Sequence, residues 1–453
     1  MPCFQVLSVS HQTFKLTKVG ALLINRNFAL LWSGQAISIF GDMLFSTTLV
    51  LWIVNRMAKN QPWAPLAVAG VLLATYVPTI LLSPLAGVFS DRWDKRQTMI
   101  TVDIIRTITL LGMILAAIPL AATKDLFSLI GLLGVVYLVV FILNAADRFF
   151  RPAMLVLIGD IVPQTEQEKA IALGQISVSL AGVVAPPVAS LLFFKISIQW
   201  LLLINMLTFV CSVITIQLIH PPHLETTATQ EQTKNILKEF RVGLHYILHN
   251  NILVTLIICD FIAMFGISAL SVLDIFFLTE NLHASQALYG LMETALGVGM
   301  IIGAVLSAAL LARIGSLRVF YISTIMVGIL LIVYARMTSF IPGIIILLIA
   351  GCPAAALGIV VGPLILQVAP RELIGRISSA FDLVTTVASI IGTFVVSFLD
   401  GVLLHNFHST ILGMSFGPVD VILVGAGAMI FVSGLYAMSR FRGISPEQRK
   451  IGK

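Results

Sequence analysis

Twelve stretches of about twenty or more mostly apolar residues recur along this 453-residue chain, more than a compact soluble core can absorb. They fall near residues 28–54, 66–89, 98–120, 127–151, 171–194 and 198–219, then 252–278, 288–311, 317–336, 341–367, 376–404 and 418–438. At a helical rise of about 1.5 Å per residue, each is long enough to cross a hydrocarbon layer of about 30 Å. Composition agrees, with 58% hydrophobic and 11% charged residues and a mean hydropathy of +1.03. The fold class expected is therefore all-α integral membrane, with about twelve transmembrane helices.

The first apolar stretch is too long for the core of a secretory signal and reads as the first span. Internal Gly and Pro, among them Pro78, Pro186, Pro187, Pro353 and Pro363, are tolerated better in membrane helices than in soluble ones. Cys3, Cys211, Cys259 and Cys352 have neither a disulfide framework nor metal spacing. Placing the N-terminus in the cytoplasm puts nineteen Lys and Arg on the inner side and five on the outer, leaving Arg106, Arg148 and Arg151 within or at the edge of spans. That asymmetry accounts for the net charge of +6 without nucleic acid and predicts cytoplasmic termini in the inner (plasma) membrane.

Residues 221–251 are the one linker. Its first part is rich in Thr and Gln; its second sets Ile236, Leu237, Phe240, Leu244, Ile247 and Leu248 on one helical face, which suits a helix lying at the interface. The expected organisation is a cytoplasmic segment 1–26, a six-helix bundle 27–220, the linker 221–251, a second six-helix bundle 252–439 and a tail 440–453. The bundles echo each other: a Pro-led polar segment at Pro163 precedes a span at Ile171, and another at Pro370 precedes a span at Arg376. Two repeats with a site between them suit a transporter that rocks around that site.

The segment Gly87-Val-Phe-Ser-Asp91-Arg92-Trp-Asp94-Lys95-Arg96 resembles motif A of the major facilitator superfamily, G-x-L-a-D-R-x-G-R-R, departing from it at Phe89 and Asp94. With Asn27-Phe28 through Gly41-Asp42, Pro163 onward and Pro370 to Arg376, the chain is most similar to the macrolide-efflux and siderophore-exporter branch of drug:proton antiporters. The resemblance implies that Gly87, Asp91, Arg92, Lys95 and Arg96 form a cytoplasmic gate. Asp91 would face the start of the eleventh span, and Lys95 would pair with an acid closing the fourth span, for which Asp160 is the candidate. The fifth-span pattern of antiporters is only partly present, since Ala181-Gly182-Val-Val-Ala185-Pro186 keeps the Pro and replaces Gly with Ala.

Charges inside spans are the stronger functional signal, because an ion at the bilayer centre costs at least about 2.5–3.5 kcal/mol. Asp42 lies midway along the first span, where an acid in a low-dielectric cavity suits proton carriage, and a packing role is the alternative. Asp147 and Arg151 are four apart and share a helical face with Arg148 close by, as a structural ion pair or a proton-transfer group. Asp103 and Arg106 are assigned to the cytoplasmic gate. In the second half, Asp260, Asp274, Glu293 and Asp382 read as packing groups or as charges reaching water at span ends.

His245 and His249 have ligand spacing but no third partner, so no metal is expected. No phosphate-cradling G-x-x-x-x-G-K-[ST] motif and no catalytic constellation is present, which argues against an ATPase or a membrane-embedded lipid-modifying enzyme. The expectation is a secondary transporter with no cofactor that works as a monomer among membrane lipids. Its partners would be a small-molecule substrate and protons, with efflux of an amphipathic drug, macrolide or siderophore as the leading form. Uptake symport and lysophospholipid movement fit the same residues.

Overall fold

The computed structural model describes residues 24–121, 126–220, 236–370, 373–405, 407, 409–411 and 414–441. The N-terminal segment to residue 23, the Thr- and Gln-rich part of the linker and the tail beyond residue 441 lie outside the described residues. So do the side chains of residues 83–92 (among them Gly87, Asp91 and Arg92) and of residues 236–241.

The first bundle contains α1 (Arg26–Trp52), α2 (Ala64–Arg92), α3 (Lys95–Ala121), α4 (Leu126–Ile161), α5 (Gln167–Phe193) and α6 (Ile198–Gln217). After α7 (Ile236–His249) comes the second, with α8 (Asn251–Glu280), α9 (Tyr289–Ile314), α10 (Ser316–Ala335), α11 (Phe340–Val368), α12 (Ile374–Phe398) and α13 (Pro418–Phe441). All but α7 are long and apolar enough to span a membrane, twelve in total among the described residues. Two end in π-helical turns, Ile53–Met57 after α1 and Leu399–Leu403 after α12. A two-stranded hairpin, β1 (Ser409–Ile411) against β2 (Met414–Phe416), joins α12 to α13 in antiparallel register, Ser409 opposite Phe416.

Local chemistry sets several boundaries. Asn25 caps α1, its side chain accepting from Phe28 N at 2.8 Å, while its amide donates to Ile161 O at the end of α4. Asp94, where the motif A pattern has Gly, opens α3 by accepting from Gln97 N at 2.7 Å, as an N-cap acid should. Arg96 donates from Nε to Ile216 O and from Nη2 to Gln217 O, so one motif residue neutralises the carbonyl end of α6. The fourth span runs past Arg151 and Pro152 to Ile161, ten residues beyond the expected boundary. A proline lacks one donor, and in a membrane helix neighbouring elements absorb that defect.

We term the side on which α1 begins the near face and the opposite side the far face. On the far side one apolar core runs through both bundles, from Phe45, Leu49 and Trp52 of α1 to Phe277 of α8, Met292 of α9 and Ile430 of α13. Toward the near face the buried side chains fall into two clusters, one per bundle. Phe28, Met99, Phe150 and Ile216 belong to the first, and Leu256, Phe320, Leu364 and Phe381 to the second. The halves therefore share a core at the far face and keep separate cores at the near face. Contacts between halves follow suit. Gly290 of α9 lies so close to α5 that a Cβ there would sit 2.1 Å from Pro186 O, and the hydroxyl of Thr294 donates to Val183 O at 2.7 Å.

Candidate functional site

Three helices of the first half carry charge into the membrane interior. Counted from their near-face ends at about 1.5 Å per residue, Arg106 lies about 16 Å, Asp147 about 21 Å and Asp42 about 24 Å along its helix. Close packing of α1 on α6 helps to place Asp42. Gly41 lies against Thr208 and Asn205, where any side chain would collide with Thr208 Oγ1.

Arg106 of α3 is the hub, with 4% of its surface exposed. One guanidinium nitrogen donates to Asp103 Oδ1 at 3.2 Å, a second to Asp147 Oδ1 at 2.9 Å. Its planar group lies over the ring of Phe150 at 5.0 Å and that of Phe209 at 5.4 Å, so aromatic faces replace the water the cation has lost. Asp147 takes Arg151 Nε on its other oxygen at 2.7 Å, with Arg148 3.5 Å away. Arg148 keeps 24% of its side chain accessible and Arg151 71%, so the cluster runs from a buried hub to open cations.

Asp42 completes the charge count. It interacts with Arg106, Asp147 and Asp103 and lies beside Asn205. Three carboxyl groups thus face three guanidinium groups. Asp42 has no salt-bridge contact among the described residues and retains partial exposure in the middle of its span. Asp103 Oδ2, Arg148 Nε and Asn205 Nδ2 are buried without a hydrogen-bond partner among the described residues. Of these, Asp103 and Asn205 act on Asp42, so polar groups with unused hydrogen-bonding capacity border a partly open acid. Ser212 flanks Asp103 and accepts from Gln35 Nε2 at 3.0 Å, tying α1, α6 and α3 together.

Helical spacing groups Asp147, Arg148 and Arg151, and the structure brings Asp42 to the same cluster. Asp103 and Arg106, expected at the cytoplasmic gate, are instead buried with Asp147. The three-residue spacing of Asp103 and Arg106 and their depth along α3 are the signals that point to this placement. Asn205, Ser212 and the two stacking phenylalanines carry no signal, because polar and aromatic residues in a span report nothing without the packing. Lys95 opens α3 and Asp160 stands exposed near the end of α4.

The second half differs. Asp260 is buried and interacts with Asp382, while Asp274 accepts from the Tyr334 hydroxyl at 2.6 Å. His245 and His249 stack with ring centroids 4.1 Å apart, and no group of three metal-ligating residues occurs among the described residues. A groove of about 760 Å³ opens between α3 and α4, lined by Trp93, Thr101, Ile105, Ile142 and Phe149. By helical phase it faces away from Arg148 and Arg151 and is not part of the charged site.

Comparisons fit this architecture. An uncharacterised MFS-type transporter of Bacillus subtilis, YkuC, is 24% identical over 373 residues, covering 79% of this chain and 82% of its own. Macrolide efflux protein A of Streptococcus pyogenes is 23% identical over 279 residues, 62% of this chain and 65% of its own. Among solved structures, a bacterial homologue of the iron transporter ferroportin in an inward-facing state superposes with a TM-score of 0.71 at 14% identity, covering 92% and 98% of the two chains. The nucleoside transporter NupG gives 0.67 at 14% identity, covering 92% and 100%. A profile of the Major Facilitator Superfamily matches residues 31–393, and the chain belongs to that superfamily of membrane transporters.

Proposed function

We propose that this chain exports a small amphipathic compound in exchange for protons, with Asp42 as the proton carrier and its near face in the cytoplasm of a plasma membrane. The observation that carries the reading is the position of Asp42: mid-span, partly open, and beside a cluster in which three acids face three arginines. A proton on Asp42 removes one negative charge and leaves the cluster net positive. Loss of that proton restores balance and leaves a carboxylate free for cargo or for Arg106. One acid that alternates between proton and cargo is what exchange requires.

The orientation follows from the excess of Lys and Arg on the near face, and the direction from similarity to macrolide efflux proteins. In this reading Lys95, Arg96 and Asp160 act with Gly87, Asp91 and Arg92 as the cytoplasmic gate, and Arg148 and Arg151 line the entrance. Separate near-face cores support a cleft open to the cytoplasm, from which cargo is taken up. A single chain among lipids suffices for this cycle.

The test is a toxicity panel of macrolides, dyes, siderophores and quaternary cations in an efflux-deficient bacterium. Wild type and Asp42→Asn are expressed at matched membrane levels. Protection by wild type that disappears in the variant is the expected result. Equal protection by both removes Asp42 from coupling, and sensitisation by wild type replaces export with uptake.

A further inference from the structure

Asp260 of α8 and Asp382 of α12 stand in the second half, away from the charged cluster of the first. Both helices run from the near-face core, at Leu256 and Phe381, to the far-face core, at Phe277 and Val396, so they are parallel. They pack side by side: the Ser268 hydroxyl donates to Ser389 O at 3.2 Å, and a Cβ on Gly392 would sit 2.7 Å from Phe265 O. That register sets the height of the acids. Asp260 lies eight residues before Ser268 and Asp382 seven before Ser389, drops of about 12 Å and about 10.5 Å, so the two share one level. Both also turn away from lipid. On α12 the exposed apolar residues Ile391, Phe394 and Phe398 lie on one side, and helical phase sets Asp382 on the other with Ser378, Thr385 and Ser389. On α8 the exposed Ile258 lies opposite Asp260 and Ser271. Asp382 and Ser271 are exposed on these inward faces, so the faces line a cleft.

The cleft wall is rich in acceptors and poor in donors. Thr385 and Thr386 donate their hydroxyl protons to Asp382 O at 3.0 and 2.7 Å, and Ser389 donates to Thr385 O at 3.1 Å. Ser271 likewise donates to Ile267 O. A hydroxyl whose proton goes to its own helix shows only lone pairs outward. Asp260 is 7% exposed, yet its carboxyl has neither a hydrogen bond nor a salt bridge among the described residues. Asp382 has no salt bridge among them either, and Arg376, six residues earlier, leaves α12 about 120° around the helix from it. A buried carboxyl of this kind lacks the donor it needs. A transition metal is a poor match. The Cys259 thiol is turned to Ser433 O, and no group of three metal-ligating residues occurs among the described residues.

We propose that Asp260 and Asp382 form an ammonium subsite, in which a protonated amine of the cargo donates its N–H groups to the two carboxylates and to the outward lone pairs of Thr385 and Ser389. The apolar body of the same molecule lies against Met264 and Ile267, on the Asp260 side of α8. Helix axes about 8–10 Å apart leave the two acids within reach of one such group. The inference rests on the transport reading above and narrows its cargo to cationic amphiphiles, whichever way the cargo moves.

The experiment titrates dansylcadaverine, a fluorescent amphiphile ending in a primary ammonium, into the full chain in nanodiscs of zwitterionic lipid. Its N-acetyl derivative, which has the same body and no charge, is titrated in parallel. Dissociation constants are taken on material purified by size exclusion, so misfolded protein does not enter the reading. Wild type should bind the ammonium probe at least about tenfold more tightly than the acetylated one. Asp260→Asn and Asp382→Asn should each bring the two probes to similar affinity, and Asp260→Glu should keep most of the preference. Equal affinity of wild type for both probes would overturn the proposal, as would a preference that survives both Asn variants. Displacement of the probe by micromolar manganese chloride would also overturn it, by making the pair a divalent-cation site. An importer of amines would pass this test and sensitise cells in the toxicity panel. An exporter of uncharged cargo would protect cells in the panel and bind both probes alike.

Discussion

The two halves share one fold and treat buried charge in opposite ways. In the first, Asp42, Asp103 and Asp147 are set against Arg106, Arg148 and Arg151, and the most buried cation is sandwiched between two aromatic rings. In the second, Asp274 accepts from the Tyr334 hydroxyl and Glu293 from the Thr47 hydroxyl, and neither acid has a salt bridge among the described residues. A balanced cluster supports its charges out of water through its own ion pairs. Acids without a cation have only hydrogen-bond donors to support their charge. Repetition of six helices supplies the scaffold twice, and the side chains place buried ion pairs in one copy and acids met by hydroxyl donors in the other.

The comparison predicts unequal responses to removing charge. The largest effect belongs to Arg106→Ala, which leaves Asp103 and Asp147 facing each other without their shared cation. Breaking a buried pair in this way costs about 3–5 kcal/mol, to be read as a large fall in the thermal midpoint of the purified protein. Arg106→Lys should recover only part of it, because an ammonium cannot span two carboxylates and stack on two rings. Full recovery by Lys would reduce the hub to a point charge. Next comes Asp94→Ala, which removes the cap of α3 at a cost of about 1 kcal/mol, measurable as a small midpoint shift with proton coupling intact. The smallest effect is expected for Asp274→Asn. It removes a charge that has no cation and leaves an acceptor for Tyr334, so stability at neutral pH should change by less than about 1 kcal/mol. A loss as large as that of Arg106→Ala would show that the second half also depends on fixed charge, and the contrast between halves would fail.

Much of the scaffold is legible in the sequence because membrane spans are written in length and hydropathy. Twelve apolar stretches correspond to twelve helices among the described residues, and a further helix, α7, falls within the linker. Hydropathy ends the fourth span too early, at Arg151, because charge and Pro152 both read as a stop. The helix continues through Pro152 with Arg151 paired to Asp147 and otherwise open, a lapse that membrane helices tolerate. The site is legible only along single helices. The four-residue spacing of Asp147 and Arg151 predicts their contact, whereas the meeting of Arg106 with Asp147 and Phe209 depends on how α3, α4 and α6 pack. The far-face acids read as packing groups in the sequence for the same reason, since the bond from Thr47 to Glu293 joins residues 246 positions apart.

The proposed proton exchange at Asp42 in the first half can be tested without knowing the cargo. Proteoliposomes on a solid-supported membrane, given a rapid pH jump, report the charge that moves as protons bind. Wild type should give a transient current that is largely lost in Asp42→Asn and kept in Asp94→Ala. A transient in Asp42→Asn equal to that of wild type would contradict the account and place the exchanged proton elsewhere.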